Sequence, residues 1–174
     1  MEFFYYDRFL KIYEDSFDWD KSLEYLECLY LRDKSTSILN SLIGFSWYYL
    51  IEGSVNSKKY ADDPNVLALK VWKKYIDIGE HESHDDPYFN FIAGYTLSLH
   101  GFYISSEYEK KGFVFMNSCL KPSNDSMLRQ LADNFLANEK STKYKPLEGG
   151  KQICSKFFCG DSLLDSYFNE LYAN

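Results

Sequence analysis

Residues 86–103, DPYFNFIAGYTLSLHGFY, constrain this chain more than any other stretch. Asp86 can cap a helix with its carboxylate, and Pro87 then occupies the first helical position, where a missing N–H has no intrahelical bond to lose. Phe89, Ile92, Ala93, Thr96 and His100 share one face of that helix. Tyr88, Phe91, Tyr95, Leu99 and Phe102 supply apolar surface elsewhere, so little of the circumference is left for water. Such a helix must be enclosed by neighbours. Gly94, Ser98 and Gly101 fall at i, i+4 and i+7, a small-residue strip along which a second backbone can approach closely, at about 1 kcal/mol of helix propensity per glycine. The expectation is an all-α fold of about eight helices, packed as antiparallel hairpins around this central helix.

The rest of the chain reads in the same period. Phe3, Tyr6, Leu10, Tyr13 and Phe17 recur at helical spacing, which predicts an amphipathic helix over Glu2 to Asp15 with Asp7, Arg8, Lys11 and Glu14 outward. Asp18 or Asp20 caps a second helix with Leu23, Leu26, Leu29 and Tyr30 inward. Ser35, Thr36 or Ser37 starts a third, carrying Leu39, Leu42, Ile43, Ser46, Tyr49 and Leu50 and closing near Gly53. After the polar loop GSVNSKKYADD, Asp63-Pro64 opens a fourth helix through Leu67, Val71, Tyr75 and Ile78, ending at Gly79, with Lys70, Lys73 and Lys74 as its wet side. A sixth covers Glu107 to Leu120, although Gly112 weakens it and FVFM also suits a strand. Asp125 or Ser126 caps a seventh. Residues 138–160 form a long basic connection in which QICSKFFC (152–159) suits an extended segment, and Asp161 caps the last helix. At 174 residues the chain is expected to be one helical domain, burying roughly 70 % of its unfolded surface without help from disulfides or metal.

Composition narrows the function. Net charge is −7 at pH 7, which disfavours nonspecific binding to nucleic acid or anionic membrane and favours a basic partner. The charge is uneven: residues 1–33 carry nine acidic and four basic residues, residues 75–90 carry five acidic ones and no Lys or Arg, and residues 138–160 carry five lysines against two glutamates. Sixteen tyrosines, fourteen phenylalanines and three tryptophans exceed what a core alone requires, and tyrosine suits recognition surfaces. No apolar run approaches the ~20 residues needed to span a bilayer, and the start MEFFYYDRFLKIYED is acidic, unlike a cationic signal peptide. The expected location is the cytosol, with Cys28, Cys119, Cys154 and Cys159 as reduced thiols.

No residue cluster announces a reaction. GEHESHDD (79–86) holds His81, His84, Asp85 and Asp86, but its histidines stand at i, i+3 and it ends in a helix cap, so it reads as a solvated acidic turn and not as a zinc site. His100 reads as a hydrogen-bonded core histidine. C-x4-C at Cys154 and Cys159 lacks further ligands at metal spacing. No nucleophile elbow, Walker loop or dinucleotide fingerprint is present. No metal, cofactor or catalytic residue is therefore expected.

Two resemblances follow from the residues. Gly94, Leu97, Gly101 and Tyr103, then Leu120-Lys121-Pro122, resemble the small-and-aromatic spacing of a tetratricopeptide hairpin over about 35 residues, although the later helix is displaced and lacks the family's alanines. YYDRFLKIYEDSFDWDKSLEYLECLYL (5–31), LIGFSWYYLIEG (42–53) and DPYFNFIAGYTLSLHGFYI (86–104) resemble, in style, immunity proteins of bacterial toxin–immunity systems, including those of contact-dependent growth inhibition. That resemblance implies a cytosolic protein that binds one cognate toxin domain and blocks it without turnover; the acidic, ring-rich composition suggests a nuclease-type toxin with a basic active-site region and no direct contact with nucleic acid or membrane. No family residue transfers. From the charge pattern, the candidate toxin-binding residues are Glu14, Asp15, Asp18, Asp20, Glu80, Glu82 and Asp85, with Tyr13 and Trp19 as anchors. The alternatives are a tetratricopeptide-like adaptor that holds a peptide or protein, or a small enzyme using His84 or His100 with a carboxylate.

Overall fold

The computed structural model describes residues 3–56 and 64–173. The fold is all-α. Among the described residues there are nine α-helices and no strand: α1 (Arg8–Asp15), α2 (Trp19–Arg32), α3 (Thr36–Asn56), α4 (Pro64–Glu82), α5 (Pro87–His100), α6 (Ser106–Ser118), α7 (Ser126–Glu139), α8 (Gly150–Phe157) and α9 (Leu163–Tyr172), with a 3₁₀ turn at Gly101–Tyr103.

α5 is the central element. Asp86 accepts the Tyr88 and Phe89 N–H groups at 2.8 and 3.2 Å, Pro87 follows the cap, and Phe89 to Ser98 are buried without interruption. Its most extensive packing is against α6, as α3 packs against α4. The close approach comes from glycines on both helices. A Cβ on Gly94 would sit 2.7 Å from the Met116 backbone nitrogen, one on Gly101 would sit 2.7 Å from that of Glu109, and one on Gly112 would overlap the Ser98 backbone. Gly112 therefore does not interrupt α6 but lets it lie against α5. Polar groups inside are answered locally: Thr96 Oγ1 accepts from Trp72 Nε1 at 3.3 Å and donates to the Ile92 carbonyl at 2.9 Å.

Several expectations change, among them the cap of α9, which is Ser162, its hydroxyl accepting the Asp165 N–H at 3.0 Å, and not Asp161. The N-terminal helix begins at Arg8, not at residue 2, because Phe3 and Phe4 plug into the aromatic core beside Phe158. Tyr5 N–H also pairs with Ser37 O and Ser41 Oγ, so the backbone there is tied to α3 and not to a helical partner; Glu2 lies outside the described residues. α4 runs past Gly79 to Glu82, because the Phe89 ring packs over Gly79 where a side chain would stand. Residues 150–157 are helical and not extended: Ile153, Cys154 and Phe157 are buried together at helical spacing, after a left-handed Gly149 with φ of 70°. The connection before α8 is tied down, since Asn138 both accepts the Lys145 N–H at 2.7 Å and donates to the Lys145 carbonyl at 3.0 Å, and Leu147 is buried. The Asp63 start of α4 and residues 57–62 of the polar loop lie outside the described residues.

Candidate partner-binding surface

The nine residues singled out by charge and ring content do not form one patch. Glu14, Asp15, Asp18, Trp19 and Asp20, with Tyr13, gather where α1 turns into α2. Glu80, Glu82 and Asp85 sit at the far end of α4, and Glu82 accepts from Tyr30 in the last turn of α2 at 3.0 Å. The two groups are thus separated by the length of α2, about 20 Å for a helix of this size.

Several of these carboxylates are engaged within the fold. Asp18 caps α2 and takes both the Lys21 N–H at 3.4 Å and the Lys21 ammonium at 2.5 Å, which holds its carboxyl below the usual range. Asp20 accepts the Tyr49 hydroxyl at 3.0 Å. Glu80 pairs with Lys111 at 2.8 Å, and Glu82 with Lys34 at 3.1 Å. Asp15 and Asp85 are the most open among the described residues: Asp15 lies 3.7 Å from Lys11 with two thirds of its side chain in solvent, and Asp85, 82 % exposed, lies 3.1 Å from the imidazole of His84. Glu14 points inward instead of outward. Its carboxylate accepts the Leu163 N–H at 3.1 Å, and burial, assisted by Asp15 and Asp165, pushes its pKa up to about 7. Beside it, burial and the Glu14 carboxylate push the Tyr6 hydroxyl up to about 12. Tyr6, Asp161 and Asp165 line a cleft of about 420 Å³ under the start of α9.

Of the two anchor candidates, Trp19 lies flat on the core, stacked on Tyr48 and Tyr49 at 6.0 and 5.6 Å, with an indole N–H that is buried and has no acceptor among the described residues. Tyr13 is half-buried with its ring 5.9 Å from Tyr25. The apolar side chains that do reach solvent here are Phe9, Ile12 and Phe17, although helical spacing places Phe17 inward. Phe17 has left-handed φ of 54°, so the register of α1 does not carry through it. No local signal marks this turn, since the left-handed residue that ends a helix is usually Gly or Asn and position 17 carries Phe.

The histidines of the enzyme alternative are apart. His84 is exposed beside Asp85, whereas His100 is half-buried, accepts the Trp47 indole N–H on Nδ1 at 3.1 Å and stacks on Tyr103 at 5.9 Å. Among the described residues, no three His, Cys, Asp or Glu side chains are grouped to hold a metal, and no helix is long and apolar enough to cross a membrane. Cys154 is buried against the Phe168 carbonyl, while Cys159 is exposed, so the C-x4-C pair faces two environments. The chain matches no protein-family model, no curated protein and no solved structure.

Proposed function

We propose that this chain is an immunity protein of a bacterial toxin–immunity system, which neutralises its cognate nuclease-type toxin domain by covering the basic region around the toxin's active site. The observation that carries this reading is the α1–α2 hairpin. Residues 1–33 hold nine acidic against four basic residues, net −5 of the chain's −7, and the same hairpin turns Phe9, Ile12 and Phe17 to solvent. Apolar groups set in a negative field suit a surface whose lysines and arginines otherwise hold phosphate: charge steers the encounter and rings hold the complex. The exposed lysines Lys140, Lys143, Lys145 and Lys151 lie in another part of the sequence, so the charge along the chain is polarised. The protein acts in the cytosol of the producer cell by occupancy, without turnover.

The test is co-expression with the C-terminal domain of a large secreted protein encoded beside this chain's gene. A one-to-one complex that survives purification, abolishes the domain's toxicity and forms more slowly as salt rises is the expected result. Toxicity undiminished by the full chain, with no complex formed, overturns the reading.

A further inference from the structure

At the end of α1 the backbone closes in a standard helix-ending motif, with Phe17 N–H bonding to the Glu14 carbonyl at 3.0 Å and Asp18 N–H to the Tyr13 carbonyl at 2.9 Å. That pair of bonds requires a left-handed residue between them, and Phe17 supplies it at φ 54°. Glycine meets the requirement without strain, whereas a residue with a Cβ meets it against its own carbonyl oxygen. Among the described residues, Phe17 is the one non-glycine with positive φ. The motif explains the backbone but not the ring. The ring contributes little to the core: it is 65 % exposed, and its aromatic neighbour is Trp19, at 6.2 Å. Phe9 and Ile12, one turn apart on the exposed face of α1, are 44 % and 58 % exposed. Phe9 and Ile12 lie within about 5 Å along the axis of α1, and Phe17 follows directly after its C-cap, Ser16.

We infer that Phe17 is a partner anchor which the chain keeps at a cost to its own stability, seating with Phe9 and Ile12 in an apolar recess on the basic surface of the neutralised domain. The inference rests on the proposed function and names its contact. Charge selects this occupant over an acidic or neutral one. Lys11 and Lys21 are already matched by Asp15 and Asp18, and Arg8 lies over the Phe9 ring at 4.7 Å. With those pairs matched, Glu14 turned inward and Glu27 paired with Lys74 at 2.7 Å, it is Asp7, Asp20 and exposed Glu24 against Arg8 that leave this part of the hairpin net acidic toward the partner. A rigid ring at the centre of such a contact, with charges around it, is the arrangement in which single residues dominate affinity.

Two substitutions separate ring from strain. Phe17→Gly removes both, and Phe17→Ala removes the ring while keeping a Cβ at left-handed φ. Thermal melts of the full chain should show Phe17→Gly raising Tm by about 2–4 °C and Phe17→Ala giving no gain. Calorimetric titration against the purified C-terminal domain of the neighbouring secreted protein should show both variants binding about tenfold or more weakly than the natural chain, at unchanged one-to-one stoichiometry. If the natural chain binds and both variants bind equally well, the anchor is overturned and the proposed function stands; if the natural chain does not bind, both fall. A lower Tm for Phe17→Gly shows a ring that holds the fold and overturns the inference. So does sedimentation in which the free chain dimerises and Phe17→Gly is monomeric, because the occupant is then a second copy.

Discussion

The Glu14 carboxylate accepts the Leu163 backbone N–H at 3.1 Å, so a residue of the first helix caps the first turn of the last. The positive end of α9 favours a carboxylate there, but burial and the neighbouring Asp15 and Asp165 oppose its charge, and the pKa rises to about 7. Because the folded chain holds this proton more tightly than the unfolded one, the group makes the fold less stable as pH rises from about 4.5 to about 7. Glu14→Gln keeps an acceptor for Leu163 and loses the charge. It should stabilise the protein by about 1–3 kcal/mol at pH 8 and by much less at pH 5, in urea titrations at the two pH values. Taking the difference between variant and natural chain cancels the carboxylates that titrate lower, such as Asp18, Asp77 and Asp125.

Gly112→Ala should be costly although it improves helix propensity. Alanine gains about 1 kcal/mol in a helix interior, but here its methyl would overlap the Ser98 backbone and lie 2.8 Å from Leu97 Cβ, in a contact with no flexible side chain to give way. A net loss of about 2–4 kcal/mol is expected, with a similar loss for Gly94→Ala against Met116. Gly149→Ala is the control. Nothing lies near its Cβ position, so its cost is that of left-handed φ alone, about 1 kcal/mol. Chemical denaturation of the three variants gives the comparison, and equal losses at Gly112 and Gly149 would contradict the close α5–α6 contact.

Asp7 carries more of the N-terminal structure than a surface aspartate. It accepts the Phe9 and Leu10 N–H groups at 2.9 Å and the hydroxyls of Tyr5 at 2.8 Å and Tyr25 at 2.5 Å. Burial pulls its pKa up, but these four donors outweigh it and hold the carboxyl below its usual range. Asp7→Ala should cost about 2–4 kcal/mol, the sum of a lost cap and of two lost phenol–carboxylate bonds, and Tyr25→Phe about 1 kcal/mol. In the double variant the Tyr25 effect should shrink, since its partner is gone.

How far the chain could be read depended on the range of the interaction. Asp86-Pro87 and the Gly94, Ser98 and Gly101 strip are local patterns, and the structure returns them as a capped helix with a close neighbour. Gly112 looked like a flaw because its purpose lies on another helix. The α8 helix is faint in the sequence because eight residues with glycine beside the start and Cys and Phe inside carry weak helical preference, and packing against α9 supplies the rest. Glu14 was turned the wrong way because Leu163 is 149 residues distant. Glu80 and Glu82 looked free because Lys111, Tyr30 and Lys34 are remote in sequence. Phe17 was placed inward because a periodic reading assumes the helix continues, and one left-handed residue redirects the side chain.

His100 tests the enzyme alternative through its hydrogen bond. Nδ1 accepts the Trp47 indole N–H at 3.1 Å, which requires that nitrogen to be unprotonated, and burial lowers the pKa below 6.5 in keeping with this. The sign is opposite to that at Glu14: the unfolded chain takes the proton first, so stability from His100 is present above pH 6.5 and is lost as pH falls through the folded value. His100→Phe keeps the ring against Tyr103 but leaves the indole without an acceptor. It should cost about 1–3 kcal/mol at pH 8 and clearly less at pH 5, and the Trp47 indole proton should shift upfield in the NMR spectrum. A histidine whose role is this bond leaves toxin neutralisation in the co-expression assay intact when replaced. A folded His100→Phe protein with natural stability that fails to protect would show instead that the imidazole acts outside the core, and would reopen the reading of this chain as an enzyme.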